Sequence, residues 1–496
     1  MDLFLEGLES AFTWSNLFLI IIGVLIGVFF GALPGISSSM AIVLMLPFTY
    51  YMEVLPSIIL LVAIYTGSAY GGSITAILFN TPGTPEAVAT TFDGYPIAQQ
   101  GKAGRALGLA ISASAFGGVV SILIMLLLAP PLSQVALKIH SAEYFALTVL
   151  GMTVIASVGT NNMVKALISG LFGIFLATVG VDPIVGVERF TFGNVELLNG
   201  VELIPLMIGA FALAEVLHQV TTREKSGNMN MGSQVSLEIL KLKEFFHHKW
   251  VLIKSALIGT IIGILPGTGG SISSIVSYGE AKRASKHPDK FGHGAEEGVI
   301  APEAANNAAA GGSMIPTLVL GIPGSPTTAI ILAALTLQGL QPGPQLMSQQ
   351  PLLLYGIFIS MLLGSILVFS SGRIAVQAFA AILKLPYYLL APIIILLSII
   401  GSYAVSNGMF QVWMMLLFGV VGFLMKKYAF SPAALVLGLV LGKMMEENLR
   451  RQLLISEGSL APFYTSPISL LILLLAVVVM FYPWLAVRFK RENNTV

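Results

Sequence analysis

The sequence contains no cysteine and little charge: Asp, Glu, Lys and Arg make up 10% of its 496 residues, against about 25% in ordinary soluble domains. Without cysteine there is no disulfide, thiol nucleophile or thiolate metal site, although the compartment is not revealed by this. A formal net charge of +1 gives no basis for nucleic-acid binding. Enzyme signatures are also missing. Gly101-Lys102 lacks the Gly five positions earlier that a phosphate-binding P-loop requires, and there is neither a His-Glu-x-x-His nor a Gly-x-Ser-x-Gly motif. The six histidines show no metal-ligand spacing. The first apolar run has no basic flank or small-residue cleavage site and continues into structural sequence, so a removable signal peptide is not expected.

What is present in abundance is apolar sequence: 56% of residues are hydrophobic. Runs such as 17–33, 107–129, 144–158, 166–181, 352–369, 389–400, 412–425 and 468–484 approach the roughly 20 residues that a helix needs to cross a bilayer. The expected fold is an all-α polytopic membrane protein with about ten to twelve membrane elements.

The chain also states an unusual pattern twice. Gly23, Gly27, Gly31 and Gly35 recur every fourth residue and lead into Pro34-Gly35-Ile-Ser-Ser-Ser39, while Gly259, Gly263 and Gly267 lead into Pro266-Gly267-Thr-Gly-Gly-Ser271. A second pair follows: Gly71-Gly-Ser73 before Asn80-Thr-Pro-Gly-Thr84, and Gly311-Gly-Ser313 before Pro323-Gly-Ser325. Paired apolar helices interrupted by Pro-Gly and small hydroxyl residues are the pattern of a secondary transporter, whose site lies where broken helices meet. The resulting division is a first repeat over 1–220, a polar linker over 221–250, a second repeat over 251–465, and a final helix and tail over 466–496.

Charge sets the expected topology. The linker carries Arg223, Lys225, Lys241, Lys243 and Lys249, which makes it cytoplasmic by the positive-inside rule. The N-terminus carries Asp2, Glu6 and Glu9 and is expected outside, in the periplasm; the C-terminus ends in Arg488-Phe-Lys-Arg491 and is expected inside. The first half then crosses an odd number of times, so the repeats are expected to be inverted. Equivalent loops agree, since 50–54 has no basic residue whereas 282–290 is strongly basic. The run 257–266 is too short to cross alone and reads as a re-entrant hairpin, which survives at membrane depth only within protein or against a wet cavity.

The breaks are the candidate site. N–H groups freed at a helix N-terminus carry about half a positive charge and bind a carboxylate without a buried Lys or Arg. Thr268, Gly269, Gly270 and Ser271 form one expected cradle and Ser37, Ser38 and Ser39 its partner. Asn80, Thr81, Thr84, Ser325 and Thr327 flank the other two turns. Pro34, Gly35, Pro82, Gly83, Pro266, Gly267, Pro323 and Gly324 are the structural turn residues. Asn306 and Asn307, on the Ala-rich stretch 303–313, can donate to a carboxylate. Ser39, Thr81, Ser271, Glu303 and Ser313 are candidate Na⁺ ligands. Asp93, Lys102 and Arg105 fall in a polar connection and are expected to be solvated, and Asp182, Glu188 and Glu215 are expected at helix ends.

Gly263-Ile-Leu-Pro-Gly-Thr-Gly-Gly270, Ala301-Pro-Glu-Ala-Ala-Asn-Asn-Ala-Ala-Ala-Gly-Gly312, Leu320-Gly-Ile-Pro-Gly-Ser325 and Gly339-Leu-Gln-Pro-Gly-Pro344 resemble the large membrane subunit of the tripartite tricarboxylate transporters, TctA. Tyr70-Gly-Gly-Ser-Ile-Thr75, Asn80-Thr-Pro-Gly83, Asp93-Gly-Tyr95 and Gly101-Lys-Ala-Gly-Arg105 resemble it in the first half. Ile36-Ser-Ser-Ser39 departs from the Gly-rich form expected after the first Pro-Gly. The resemblance implies a bacterial inner-membrane carrier for citrate or another carboxylate, driven by an Na⁺ or H⁺ gradient. It also implies a small membrane subunit and a periplasmic solute-binding protein as partners. The expected mechanism is elevator-like alternating access, with a passive organic-anion pore as the rival reading and no cofactor beyond the coupling ion.

Overall fold

Inside a bilayer every backbone N–H and C=O must be satisfied within the protein, and an apolar chain with frequent Pro and Gly meets that demand as helices broken only where other protein covers the break. The computed structural model describes the chain apart from residues 1, 34–35, 159–162, 183, 223–236, 267–268, 383–386 and 494–496. The described chain is almost entirely helical, and the all-α polytopic membrane architecture expected from the sequence is what it adopts. Among the described residues, six helices are long and apolar enough to cross a membrane: Trp14–Gly31, Val54–Phe79, Pro85–Ala136, Leu203–Thr221, Pro351–Ser370 and Met409–Lys427. Shorter apolar helices include Ser38–Thr49, Met163–Ala177 and Pro326–Leu337. One feature is not helical and was not anticipated: Gly180–Val181 pairs antiparallel with Glu188–Arg189.

Glycine spacing explains the closest helix pairs. In the first half Trp14–Gly31 lies on Val54–Phe79, and a Cβ on Gly27 would strike the Ile64 carbonyl while one on Gly67 would strike that of Val24. In the second half Lys249–Ile264 lies on Glu297–Val319, with Gly259 against the Ala305 carbonyl and Gly312 against that of Thr260. Small residues that let backbones touch are the means by which membrane helices associate, because lipid supplies no hydrophobic drive between them.

Each pair is joined by a break. Ser38–Thr49 follows the first, and Gly269–Ala284 follows the second. The turn residues Pro34, Gly35 and Gly267, together with Thr268, lie outside the described residues; Pro266 sits in the turn after Lys249–Ile264.

The halves then exchange partners. The 34-residue helix Ala103–Ala136 of the first half packs along Glu297–Val319 of the second, with Gly117 against the Ala304 carbonyl. Conversely, Pro351–Ile382 of the second half packs along Val54–Phe79 of the first. Two large apolar clusters result, each drawing on both halves: one holds Ile36, Met40 and Ile58 together with Met314, Ile330 and Leu335, the other Ala106, Leu109 and Ala110 together with Val299, Ile300 and Ala304. The described end of the polar linker joins the second cluster through Leu240: Glu238 N donates to Gly104 O at 3.0 Å and Leu240 N to Ser112 Oγ at 3.2 Å.

Candidate functional site

Two hairpin tips are built the same way from different residues. The Val54–Phe79 helix stops at Asn80, which is left-handed (φ 55°). The chain returns through Pro82 and Gly83, and Gly83 N donates to Gly72 O at 3.1 Å. A Cβ at Gly83 would fall on the Gly31 carbonyl. In the second half Gly324 N donates to Thr317 Oγ1 at 3.2 Å, and a Cβ there would stand 2.7 Å from Ser313 Cα. Ser325 then caps Pro326–Leu337 by accepting from Thr328 N at 3.1 Å. Ser37 likewise caps Ser38–Thr49, accepting from Met40 N at 3.3 Å. Each cap satisfies one of the donors orphaned at a helix start.

The tip of each half docks on the broken helix of the other. At one seam, the Ser39 and Thr327 hydroxyls hydrogen-bond at 2.9 Å across 288 positions of sequence. Beside them, the Tyr65 hydroxyl bonds Ser313 at 3.1 Å and Ser325 at 3.4 Å. At the other seam, Ser274 Oγ donates to Glu86 O at 2.9 Å and Asn306 Nδ2 donates to Ala69 O at 2.9 Å. Gly270 is enclosed there by Asn306 Oδ1 and the Glu86 side chain. Neutral oxygens and amides dominate both seams, a donor set suited to carboxylates and hard cations rather than to soft metals.

Glu303 is completely buried, with its carboxyl held by Ser114 Oγ at 2.8 Å and by the Thr90 hydroxyl. The Asn307 side chain donates to Glu303 O at 3.2 Å, one turn away. Glu303 therefore belongs to a buried network between the two halves, and a charge so deep in a membrane protein is retained only with such partners.

The structure corrects the solvated reading of Asp93. That residue is fully buried, and its Oδ1 accepts from the backbone N–H groups of Gly292, Gly294 and Ala295 at 2.8–2.9 Å. Its Oδ2 accepts from the Tyr278 hydroxyl at 2.8 Å. The loop 292–295 wraps the carboxylate and supplies the hydrogen bonds that water would otherwise give. Arg105 is also engaged, with a two-pronged bond to Glu296 at 2.8 and 2.9 Å and a contact to Glu244 at 3.1 Å. Lys102 is exposed, as expected.

Of the other sequence candidates, Ser38, Ser39, Thr84, Gly270, Asn306, Asn307, Ser313, Ser325 and Thr327 are buried at or beside the seams. Gly269 begins its helix with φ 58°, and Ser271 is half-buried with its carbonyl accepting from Ser274. Asn80 and Thr81 are exposed and bond none of the other candidates among the described residues. Pro82 is half-buried and Pro323 buried. Asp182 is ion-paired to Arg450 and Arg189, and Glu215 to Lys426.

Sequence reading missed Tyr65, Glu86, Thr90 and Ser114. Tyr65 sits in an apolar run and looks like core. Glu86 was readable: in the paired motifs Pro82-Gly83-Thr84-Pro85-Glu86 and Pro323-Gly324-Ser325-Pro326-Thr327 it occupies the place of Thr327. A cavity of about 740 Å³ also opens beyond the tips, lined in part by His140, Gln341, Asn448, Arg451 and Gln452. It contains none of the predicted site residues.

Comparison with known proteins shows which family the chain resembles. Residues 17–437 match the tripartite tricarboxylate transporter TctA family. The chain is 40% identical over 491 residues, 98% of its length and 97% of the relative's, to "Uncharacterized 52.8 kDa protein in TAR-I ttuC' 3'region" of Agrobacterium vitis. It is 41% identical over 236 residues to "Uncharacterized protein in TAR-II ttuC' 3'region" of the same organism, which covers 47% of this chain and 98% of the relative. Doubled Pro-Gly tips docked across two halves and a match over most of the chain lead to one conclusion: this multi-pass membrane protein belongs to the tripartite tricarboxylate transporter TctA family.

Proposed function

We propose that this chain is the transport subunit of a bacterial inner-membrane importer. It carries a tricarboxylate or related organic anion, delivered by a periplasmic solute-binding protein, with a small membrane subunit as its second partner. The observation that carries the reading is the Ser39–Thr327 hydrogen bond, which joins a broken helix of one half to a hairpin tip of the other. A seam of that kind can part and reform without leaving a charge unpaired. Substrate binds between the paired tips, where helix N-termini and the amides of Asn306 and Asn307 supply donors to its carboxylates. The cavity containing Arg451 and His140 serves as the mouth that receives the anion.

Uptake is coupled to Na⁺, with H⁺ as the alternative ion. The tip-bearing core moves against the long helices in an elevator-like cycle, a reading drawn from fold analogy. The two repeats run in opposite directions through the membrane, with the N-terminus in the periplasm and the linker and C-terminus in the cytoplasm.

Proteoliposomes holding this chain and its small subunit test the reading. Uptake is expected to require the binding protein and to collapse with the Na⁺ gradient. Unchanged uptake in Na⁺-free medium with a proton gradient transfers coupling to H⁺, and uptake without any gradient rejects secondary transport in favour of a pore. Single cysteines at Met52 and Lys286 test the inversion, because the sequence offers no competing thiol. Labelling of both from one side by an impermeant reagent rejects it.

A further inference from the structure

The two seams are equivalent in position but not in charge. Thr327 sits two residues beyond the capping Ser325, and its hydroxyl is satisfied by Ser39. Glu86 sits two residues beyond Thr84, in the same motif of the other half. It faces Gly270 of the opposite broken helix, where Ser38 would be its counterpart in the first half. One carboxylate oxygen of Glu86 is buried with no hydrogen-bond partner. The Thr84 hydroxyl is buried beside that carboxyl and also lacks a hydrogen bond of normal geometry. Asn306 donates through Nδ2 to Ala69 O, and this turns its Oδ1 toward Gly270, on the side where the Glu86 side chain lies.

Three oxygen-bearing groups thus gather at this seam, and one oxygen of the carboxylate has no hydrogen bond there. A carboxylate oxygen buried without a donor is costly to keep charged, so it either takes up a proton or is bound by a cation. Neither Arg nor Lys is paired with Glu86 among the described residues.

We propose that Glu86, Thr84 and Asn306 form a seat for a monovalent hard cation, Na⁺, between the first hairpin tip and the second broken helix. Glu86 supplies the charge, and Thr84 Oγ1 and Asn306 Oδ1 supply neutral oxygen ligands. Thr84 and Asn306 are buried but Glu86 is partly exposed, so the cation can enter from the Glu86 side and complete its oxygen shell with water or a substrate carboxylate. The seat also has a consequence for coupling, which rests on the transport reading above. An empty seat presents a negative charge to an anionic substrate and repels it; a filled seat removes the repulsion and offers a shared ligand. The Ser39–Thr327 seam, already satisfied and neutral, has no such dependence.

The test is Na⁺ binding by the purified full-length chain in nanodiscs, followed by thermal stability at constant ionic strength with choline replacing Na⁺. The wild type is expected to show a saturable Na⁺-dependent rise in melting temperature that K⁺ does not reproduce. Glu86→Gln is expected to weaken it at least tenfold, and Asn306→Ala several-fold, whereas Glu188→Gln, remote in sequence and bonded to Thr191, leaves it unchanged. Where Glu86→Gln does not accumulate, Glu86→Asp and Thr84→Ala carry the same readout, each with an expected several-fold weakening. Undiminished Na⁺ affinity in the variants overturns the seat, as does a wild-type response to pH alone with no dependence on Na⁺. Because no transport step enters the measurement, its failure is separate from failure of proteoliposome uptake.

Discussion

The Val54–Phe79 and Glu297–Val319 helices do the same mechanical work with different surfaces. Both press glycine against the backbone of a preceding helix, and both end before a Pro-Gly tip. The first has hydroxyl side chains but no charged or amide residue, where the second carries Glu303, Asn306 and Asn307, all buried. The two halves therefore share the contacts that set helix separation and differ at the positions that face the seams. Backbone packing tolerates no side chain at the crossing points, whereas a seam position needs only a group its new neighbour can satisfy.

The comparison breaks hardest at the shared element. Gly27→Val and Gly259→Val place a branched side chain on the Ile64 and Ala305 carbonyls respectively. Both are expected to abolish accumulation of folded protein. The milder Gly27→Ala and Gly259→Ala should each cost about 1–3 kcal/mol, seen as a lower melting temperature in detergent. Equal losses in the two halves support equivalent packing; tolerance in one half shows that its crossing can relax.

Asn307→Ala probes the polar face that only the second half has. Removal of a hydrogen bond to a charged ligand group costs about 1.5–3 kcal/mol, or roughly a 10- to 150-fold loss of affinity. Substrate binding should weaken accordingly while melting temperature changes little. Loss of folding with affinity intact would make Asn307 a structural residue. The same protocol applied to Thr268→Val tests the cradle expected from sequence.

Asp93→Ala strips four hydrogen bonds from a buried carboxylate and leaves the 292–295 loop donors unpaired. A loss of about 2–4 kcal/mol is expected, together with faster proteolysis between 285 and 296. Cleavage at the wild-type rate would show that other contacts hold the loop.

The smallest effect belongs to the ionic contact between the linker and the second half. His248 and Arg105 hold the Glu296 carboxyl down to about 2. A depressed carboxylate contributes stability above its unfolded value, about 4.3, and loses it as pH falls toward 2. Hydrogen exchange around 292–297 should therefore rise between about pH 5 and pH 2, and Glu296→Gln should remove that dependence. The carboxyl is partly exposed, so the change is expected to be local and reduced by salt.

Helical class, the paired Pro-Gly breaks and most of the buried seam hydroxyls were legible because they follow from composition and from spacing along one strand of sequence. An apolar chain in lipid must close its own hydrogen bonds, and glycine every fourth residue marks one helix face wherever that face is later placed. Which half those faces would meet was not legible. That Ala103–Ala136 lies on Glu297–Val319, that Ser39 finds Thr327, and that Glu86 comes to Gly270 are contacts between residues roughly 180 or more positions apart. Asp93 shows the reason most plainly: a lone acidic residue in a polar stretch reads as solvated, and only the fold could bring three backbone donors and a tyrosine to it. Local sequence determines what each segment can offer, and tertiary structure decides which partner satisfies it.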